Sequence, residues 1–262
     1  MKIERLDHDL YLARGEALDS NATIYVSNGE ALLVDALGGR PDAQQLKAFV
    51  EGELGKRVRF ILATHYFSDH LAGLNLFPEA QVLAHRNYRH TFDSEQYRSD
   101  EERSFFRRPD ILLGDSLLLH WGRFTLDVFY NPGHTMSTLG VEVPEADLLH
   151  VGDTLVGNLV YFLYSTPELL AQALLNLKRR GRGRLLASHQ GLASPVALDH
   201  GLHYLQRLEE RVRQARQQSD PKQAILGIAA AECFPAGVTP TDFESFFHRR
   251  NLNSVIDRRL YE

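Results

Sequence analysis

Apolar and polar positions change period several times along the chain, and each change marks an expected element. Residues 1–35 read as strands. Ser27-Asn28-Gly29-Glu30 between two apolar runs is an Asn-Gly hairpin signal, and Ala31-Leu32-Leu33-Val34 is a continuous apolar strand ending in Asp35. Gly38-Gly39 turns the chain, Pro41 falls at a first helical position, and 43–51 has helical spacing. Strands are predicted at 58–63 and 81–84, with a short helix at 71–76 between them. Residues 86–110 break the pattern. They are rich in charge and in aromatics (Tyr88, Phe92, Tyr97, Phe105, Phe106), and predict a helix followed by a surface excursion ending at Pro109. Strand periodicity returns over 111–130, with turns at Gly114-Asp115 and Trp121-Gly122, and again at 139–143 and 148–151. Thr166-Pro167-Glu168 has the cap-then-proline order of a helix start, and that helix should run to about Arg180. Leu185-Leu186-Ala187 is expected to be the last strand, and beyond Pro195 the pattern is helical only: a long charged helix to Gln218, then two shorter ones. His203, Leu205, Leu208 and Val212 share one face of the long helix, a core or dimer surface. Two strand-rich halves, each followed by helices, imply two mixed sheets covered by helices.

Composition narrows the picture. Of 262 residues, 44% are apolar and 24% charged, a globular balance rather than a disordered or fibrous one. The single cysteine, Cys233, excludes an internal disulfide and a cysteine-rich zinc site. It falls in an Ala-rich segment read as helix, where a buried thiol is structural. Lysine and arginine total 29 against 34 acidic residues, a net charge of −5 that gives no general attraction to nucleic acid or anionic membrane. The one cationic run, Lys178-Arg179-Arg180-Gly181-Arg182-Gly183-Arg184, sits where a helix should end at Gly181, and cations there oppose the helix dipole. The first residues lack the apolar core of a signal peptide, and no run approaches the roughly 18 apolar residues of a membrane span. A cytoplasmic protein without nucleic-acid or membrane partners is expected, acting on a small molecule, with a homodimer as one assembly.

The twelve histidines carry the chemistry. His65, Asp69 and His70 follow the strand expected to end at Ala63, His134 follows Tyr130, Asp153 follows Val151, and His189 follows Ala187. Loops at strand ends are where rigid scaffolds present functional groups. Imidazole and carboxylate are ligands that suit zinc, iron and manganese. His85, His120, His150, His200 and His248 match no ligand motif and read as ordinary surface or core residues. Tyr161, Phe162 and Tyr164, with Tyr88 and His90, are candidates for an apolar pocket with polar tips.

Through Thr64-His65-Tyr66-Phe67-Ser68-Asp69-His70, Asn131-Pro132-Gly133-His134-Thr135, Gly152-Asp153-Thr154 and Ser188-His189, in that order, the chain resembles the metallo-β-lactamase superfamily of metallohydrolases. The resemblance spans roughly residues 10–195 and includes the early strand ending at Asp35. It implies an α/β fold, an αββα sandwich of two mixed sheets flanked by helices, with a domain at 1–195 and a helical extension at 196–262 packed on it. It also implies two neighbouring metal positions. His65 and His134 would serve the first, Asp69, His70 and His189 the second, with Asp153 bridging. Asp69, His65 and His134 are the implied catalytic residues, Asp35 steadies the His65 loop from behind the ligands, and Phe67, Tyr161 and Tyr164 line the pocket. Phe67 is a departure: it stands where the family pattern His-x-His-x-Asp-His has its second histidine, and a phenyl ring cannot bind a metal. The second position should therefore be the tighter one. Zinc is the expected cofactor, as one or two ions, with iron or manganese as alternatives. The implied reaction is hydrolysis of an ester, thioester, lactone or amide by an activated hydroxide. Iron-dependent redox chemistry, or a metal-poor scaffold that only binds, are the alternatives.

Overall fold

The computed structural model describes residues 1–95 and 98–262; Gln96 and Tyr97 of the aromatic excursion lie outside the described residues. Seven strands stand side by side in chain order in the first sheet: β1 (Lys2–Asp7), β2 (Leu10–Arg14), β3 (Asn21–Ser27), β4 (Glu30–Val34), β5 (Arg57–Leu62), β6 (Gln81–His85) and β7 (Ile111–Leu113). Neighbours from β1 to β4 are antiparallel and from β4 to β7 parallel. The switch follows from the connections. Asn28 takes the left-handed conformation (φ 52°) that a tight hairpin between β3 and β4 needs. Parallel β4 and β5 instead need a crossover, supplied by α1 (Arg40–Lys47) and the π-helical turn Ala48–Glu53 that continues it.

The second sheet holds β8 (Ser116–Trp121), β9 (Phe124–Tyr130), β10 (Leu139–Val143), β11 (Leu148–Gly152), β12 (Arg184–Ala187) and β13 (Leu192–Ala193). Only β11 and β12 run parallel, and α4 (Pro167–Arg180) crosses between them. Thr166 Oγ1 accepts the Leu169 N–H at the start of α4, and Gly181 ends it at φ 66°. After β13 come α5 (Val196–Ala215), α6 (Pro221–Leu226) and α7 (Asp242–Asp257); α2 (Tyr88–Ser94) and α3 (Asp100–Arg103) occupy the excursion. Two mixed sheets between helical layers make this the expected αββα arrangement.

Both faces of β4 are covered, which is why its sequence reads as an unbroken apolar run. Leu32 and Val34 point into the inter-sheet core with Tyr25, Leu62 and Phe124, while Ala31 and Leu33 face the layer that includes α1. In that inner core His150 Nε2 accepts the Tyr25 hydroxyl at 2.6 Å, and burial pushes His150 down to about 3. Outside the second sheet, Leu149 and Val151 share one cluster with Leu170 and Leu174 of α4, Leu208 and Val212 of α5, and Leu252 and Val255 of α7. The face of Leu205, Leu208 and Val212 is thus core rather than dimer surface, with His203 partly exposed beside it.

Several details differ from the sequence expectation. Residues 71–76 form no α-helix: the expected short helix is reduced to a 3₁₀ turn at Leu74–Leu76, after another at Ser68–His70. Between them Gly73 lies so close to the Ala36 carbonyl that a Cβ would sit 3.0 Å from it. β12 is not the last strand, because the two-residue β13 follows it, too short to leave a periodic signal. Cys233 follows a 3₁₀ turn at Ala230–Glu232 instead of lying in an α-helix; it is buried, and burial pushes its thiol up to about 12. The cationic run is paired within the fold: Arg180 with Asp127 and Glu142, Arg182 with Glu142, Lys178 with Asp199. Among the described residues no helix is long and apolar enough to cross a membrane.

Candidate metal centre

The strand ends that carry the histidine motifs meet at one edge of the sandwich, and backbone bonds tie the sheets together there. Leu139 N–H donates to the Thr64 carbonyl at 2.7 Å, and Asn21 N–H to the Ser188 carbonyl at 2.8 Å. At the end of β11, Gly152 adopts φ 56°, a conformation only glycine takes freely, and delivers Asp153 into the cleft.

Asp153 Oδ2 is the hub. It lies 3.1 Å from His189 Nε2, 3.6 Å from His70 Nε2, 3.8 Å from His134 Nε2 and 3.9 Å from His65 Nε2. Asp69 approaches from the other side, Oδ1 at 3.3 Å from His70 Nε2 and Oδ2 at 3.5 Å from His189 Nε2. The donor atoms fall into two groups sharing Asp153: Asp69, His70, Asp153 and His189, and His65, His134 and Asp153.

The outward nitrogens are anchored. His189 Nδ1 donates to the Leu18 carbonyl at 2.8 Å, His134 Nδ1 donates to the Tyr161 carbonyl at 3.3 Å, and His65 Nδ1 lies 3.2 Å from Thr64 Oγ1. Such outer partners aim the Nε2 atoms inward. The inward atoms lack partners of their own: His65 Nε2, His70 Nε2, His134 Nε2 and Asp153 Oδ1 are buried and make no hydrogen bond. An unsatisfied buried polar atom costs about 1–3 kcal/mol. Several facing one point require a shared partner, and nitrogen and carboxylate donors fit a divalent cation.

The electrostatics split the site. Burial opposes charge on His70, but Asp69, Asp153 and Asp35 outweigh it and hold the imidazole up at about 10. Burial likewise opposes charge on His189, where Asp153 and Asp69 win and the shift is upward. His65 goes far down and His134 down, both from burial first. Asp153 is held well below the usual carboxylate range by His189 and His70 despite its burial.

Asp35 binds none of the inward atoms. It accepts Thr64 N–H at 2.7 Å, Thr64 Oγ1 at 2.8 Å and Ser188 Oγ at 3.0 Å, so one carboxylate braces the strand ends that present His65 and His189. Its Oδ2 is 3.7 Å from His70 Nδ1. Phe67 is buried with its ring centroid 5.3 Å from that of His65, 5.4 Å from His134 and 4.8 Å from Tyr164.

A cavity of about 200 Å³ opens from this cluster, and Phe67, Tyr161 and Tyr164 line it. Phe162 does not; it is fully buried in the core. Tyr88 packs on Tyr66 with centroids 5.1 Å apart and His90 is exposed, so neither reaches the cavity. Sequence reasoning missed Leu18, Glu95, Phe246, Phe247 and Arg250, which complete the wall. Glu95 accepts Ser68 N–H at 3.0 Å and Ser68 Oγ at 2.7 Å, fixing the residue before Asp69. The three wall residues of α7 did leave a signal: with Phe243, the residues Phe246, Phe247 and Arg250 repeat at helical spacing and form one face.

Two mixed sheets between helical layers, with a His/Asp cluster at one edge that could hold a metal, define the class: the chain belongs to the metallo-beta-lactamase superfamily, whose model matches residues 15–209. Solved structures agree. A metallo-beta-lactamase from Pontibacter korlensis is 18% identical over 78% of this chain and 98% of its own, with a TM-score of 0.65. The DIM-1 metallo-beta-lactamase is 18% identical over 78% of this chain and 96% of its own, with a TM-score of 0.63. The inverting sec-alkylsulfatase Pisa1 from Pseudomonas sp. is 14% identical and matches 98% of this chain with a TM-score of 0.73, and the match takes up 50% of the sulfatase. At these identities the likeness is one of fold. No curated relative matches the sequence.

Proposed function

We propose that this protein is a metal-dependent hydrolase acting on a small ester, thioester, lactone or amide. The observation that carries the reading is the set of buried, unpartnered nitrogen and carboxylate atoms converging on Asp153. Its family supports it, since members of the superfamily are mostly hydrolases. Asp69, His70, Asp153 and His189 would hold one divalent ion, and His65, His134 and Asp153 the weaker second. Zinc suits these donors, with iron and manganese as alternatives that metal analysis distinguishes. A divalent ion held there would act as a Lewis acid and lower the pKa of bound water toward about 7.

The chain's own groups do the rest. Where only the tighter ion is bound, burial leaves His65 and His134 neutral with Nε2 free and aimed into the cleft, so either would orient an attacking water and relay its proton toward the leaving group. Tyr161 holds the His134 ring in place through its carbonyl. Phe67 and Tyr164 wall the cleft with aromatic surface, which excludes water and seats an apolar substrate body. The cavity of about 200 Å³ beside the cluster has room for a small acyl group.

The test is metal analysis of the purified protein, then a panel of esters, thioesters, lactones and amides before and after chelation. Activity lost on chelation and restored by zinc or manganese is expected. No turnover of any class at any metal loading would leave a binding protein on this scaffold.

A further inference from the structure

The α7 face that closes the cavity presents three phenyl rings and one cation. Phe243 packs 5.9 Å from the His189 ring, Phe247 packs 5.0 Å from Tyr161, and Phe246 packs 5.3 Å from Phe247. Arg250 lines the same cavity as Asp153 and His134 and is its one cationic wall residue apart from histidine. Its Nε donates to the Tyr161 hydroxyl at 2.8 Å, and its guanidinium carbon lies 5.7 Å from the Tyr161 ring and 5.4 Å from the Phe246 ring. The acidic groups of the wall are engaged elsewhere: Glu95 with Ser68, Asp69 and Asp153 with the histidines. Among the described residues no ion pair reaches Arg250, and its hydrogen bond to Tyr161 uses Nε alone. A half-buried guanidinium among aromatic rings has given up part of its hydration, which is repaid when an anion takes up its remaining N–H groups.

The geometry points to Arg250 as the anchor for an anionic substrate: an organic carboxylate whose apolar body lies against Phe67, Tyr164, Phe246 and Phe247. A guanidinium fork matches a carboxylate through two parallel hydrogen bonds, and the charge fixes which end of the molecule faces away from the histidines. Tyr161 links the two ends of the cavity, its hydroxyl accepting from Arg250 and its carbonyl from His134. A substrate anchored at Arg250 is therefore registered against the histidine that faces the reacting bond. The class rests on the hydrolase reading for its reaction, but the anchor itself can be read by binding alone.

Two measurements separate the claims. In the first, 4-phenylbutyrate and 4-phenylbutanamide are titrated into the zinc-loaded and the chelated full-length protein by calorimetry. The acid should bind more tightly, and Arg250→Gln should shrink that preference by about tenfold or more under both conditions. The difference between protein forms cancels any carboxylate bound to zinc. Arg250→Lys keeps the charge without the fork and should retain part of the preference, and Tyr161→Phe, which leaves the cation in place, should retain most of it. In the second, mono-4-nitrophenyl glutarate is compared with 4-nitrophenyl pentanoate, and Arg250→Gln should raise KM for the charged ester at least tenfold more than for the neutral one. A preference for the acid that is equal in wild type, Arg250→Gln and Arg250→Lys, each folded by circular dichroism, overturns the anchor. If neither ester is hydrolysed while the calorimetric difference holds, the anchor stands, and the hydrolase reading falls only when the thioesters, lactones and amides of the panel are not turned over either.

Discussion

On one side of Asp153, Asp69, His70 and His189 add a second carboxylate and two imidazoles; on the other, His65 and His134 face the same oxygen beside the ring of Phe67. The side with its own carboxylate carries positive charge readily, with His70 held up at about 10 and His189 also raised. On the other side burial prevails and both imidazoles stay neutral. Six similar strand-end side chains thus divide into a place that welcomes a cation and a place that offers lone pairs. The difference lies in one carboxylate, Asp69, and one replaced ligand, Phe67. On the proposed reading, ligand count and local charge, not histidine number, would rank the two positions.

The largest expected effect comes from removing what both sides share. Asp153→Ala should leave the protein almost metal-free by elemental analysis, a loss larger than the roughly 10–100-fold that partners behind the ligands are worth, and His189→Ala should strip most of the metal. His65→Ala should cost less metal but lower kcat roughly 10²–10⁴-fold, the range of a general acid–base group. If His65→Ala empties the site while His189→Ala leaves it filled, the ranking of the two sides is reversed. Asp35→Asn keeps a residue type that tolerates the left-handed φ of 59° but loses part of the brace on Thr64 and Ser188. Metal affinity should fall roughly 10–100-fold in equilibrium dialysis.

Phe67→His would sharpen the comparison directly. It places a third imidazole beside His65 and His134, and zinc content should rise toward two ions per chain at matched folded fraction. An unchanged content in the variant, or two tight ions already in the wild type, would show that Phe67 does not set metal number.

The smallest effect contrasts these histidines with one whose polar atom is satisfied. His150 lies in the inter-sheet core, bonded to Tyr25 and held at about 3. An unfolded histidine takes its proton below about 6.5 while the folded one does not until about 3, so stability falls as pH drops through that window. Between pH 7 and pH 5 this one residue should cost about 2 kcal/mol. His150→Gln, less stable at neutral pH, should lose correspondingly less melting temperature on that acidification than wild type; an equal loss would place the acid sensitivity elsewhere.

The strand periods, the Asn28 hairpin, the Thr166 cap and the order of the ligand motifs were legible in the sequence, because each is set by neighbours within a few residues. That these histidines and aspartates could cluster was legible for the same reason: strand ends carry them, and the sheet brings strand ends to one edge. The short helix expected at 71–76 shrank to a 3₁₀ turn at Leu74–Leu76, beside a Gly73 N–H that donates to the Ala36 carbonyl at 2.9 Å, a contact across 37 residues that leaves no local pattern. Tyr88 and His90 failed as pocket residues because α2 turns them toward Tyr66 and solvent.

By itself, then, the sequence determined the superfamily, the αββα layers and which side chains could meet a metal. Only the tertiary structure decided that Arg250 reaches Tyr161 across 89 residues, that α7 closes the cavity, and that one acidic side of the cleft differs electrostatically from the other. The physical reason is that hydrogen-bonded periods and caps are local and leave a pattern in the chain. Desolvation and charge coupling depend on which distant residues the packing brings within a few ångströms, and the packing leaves no such pattern.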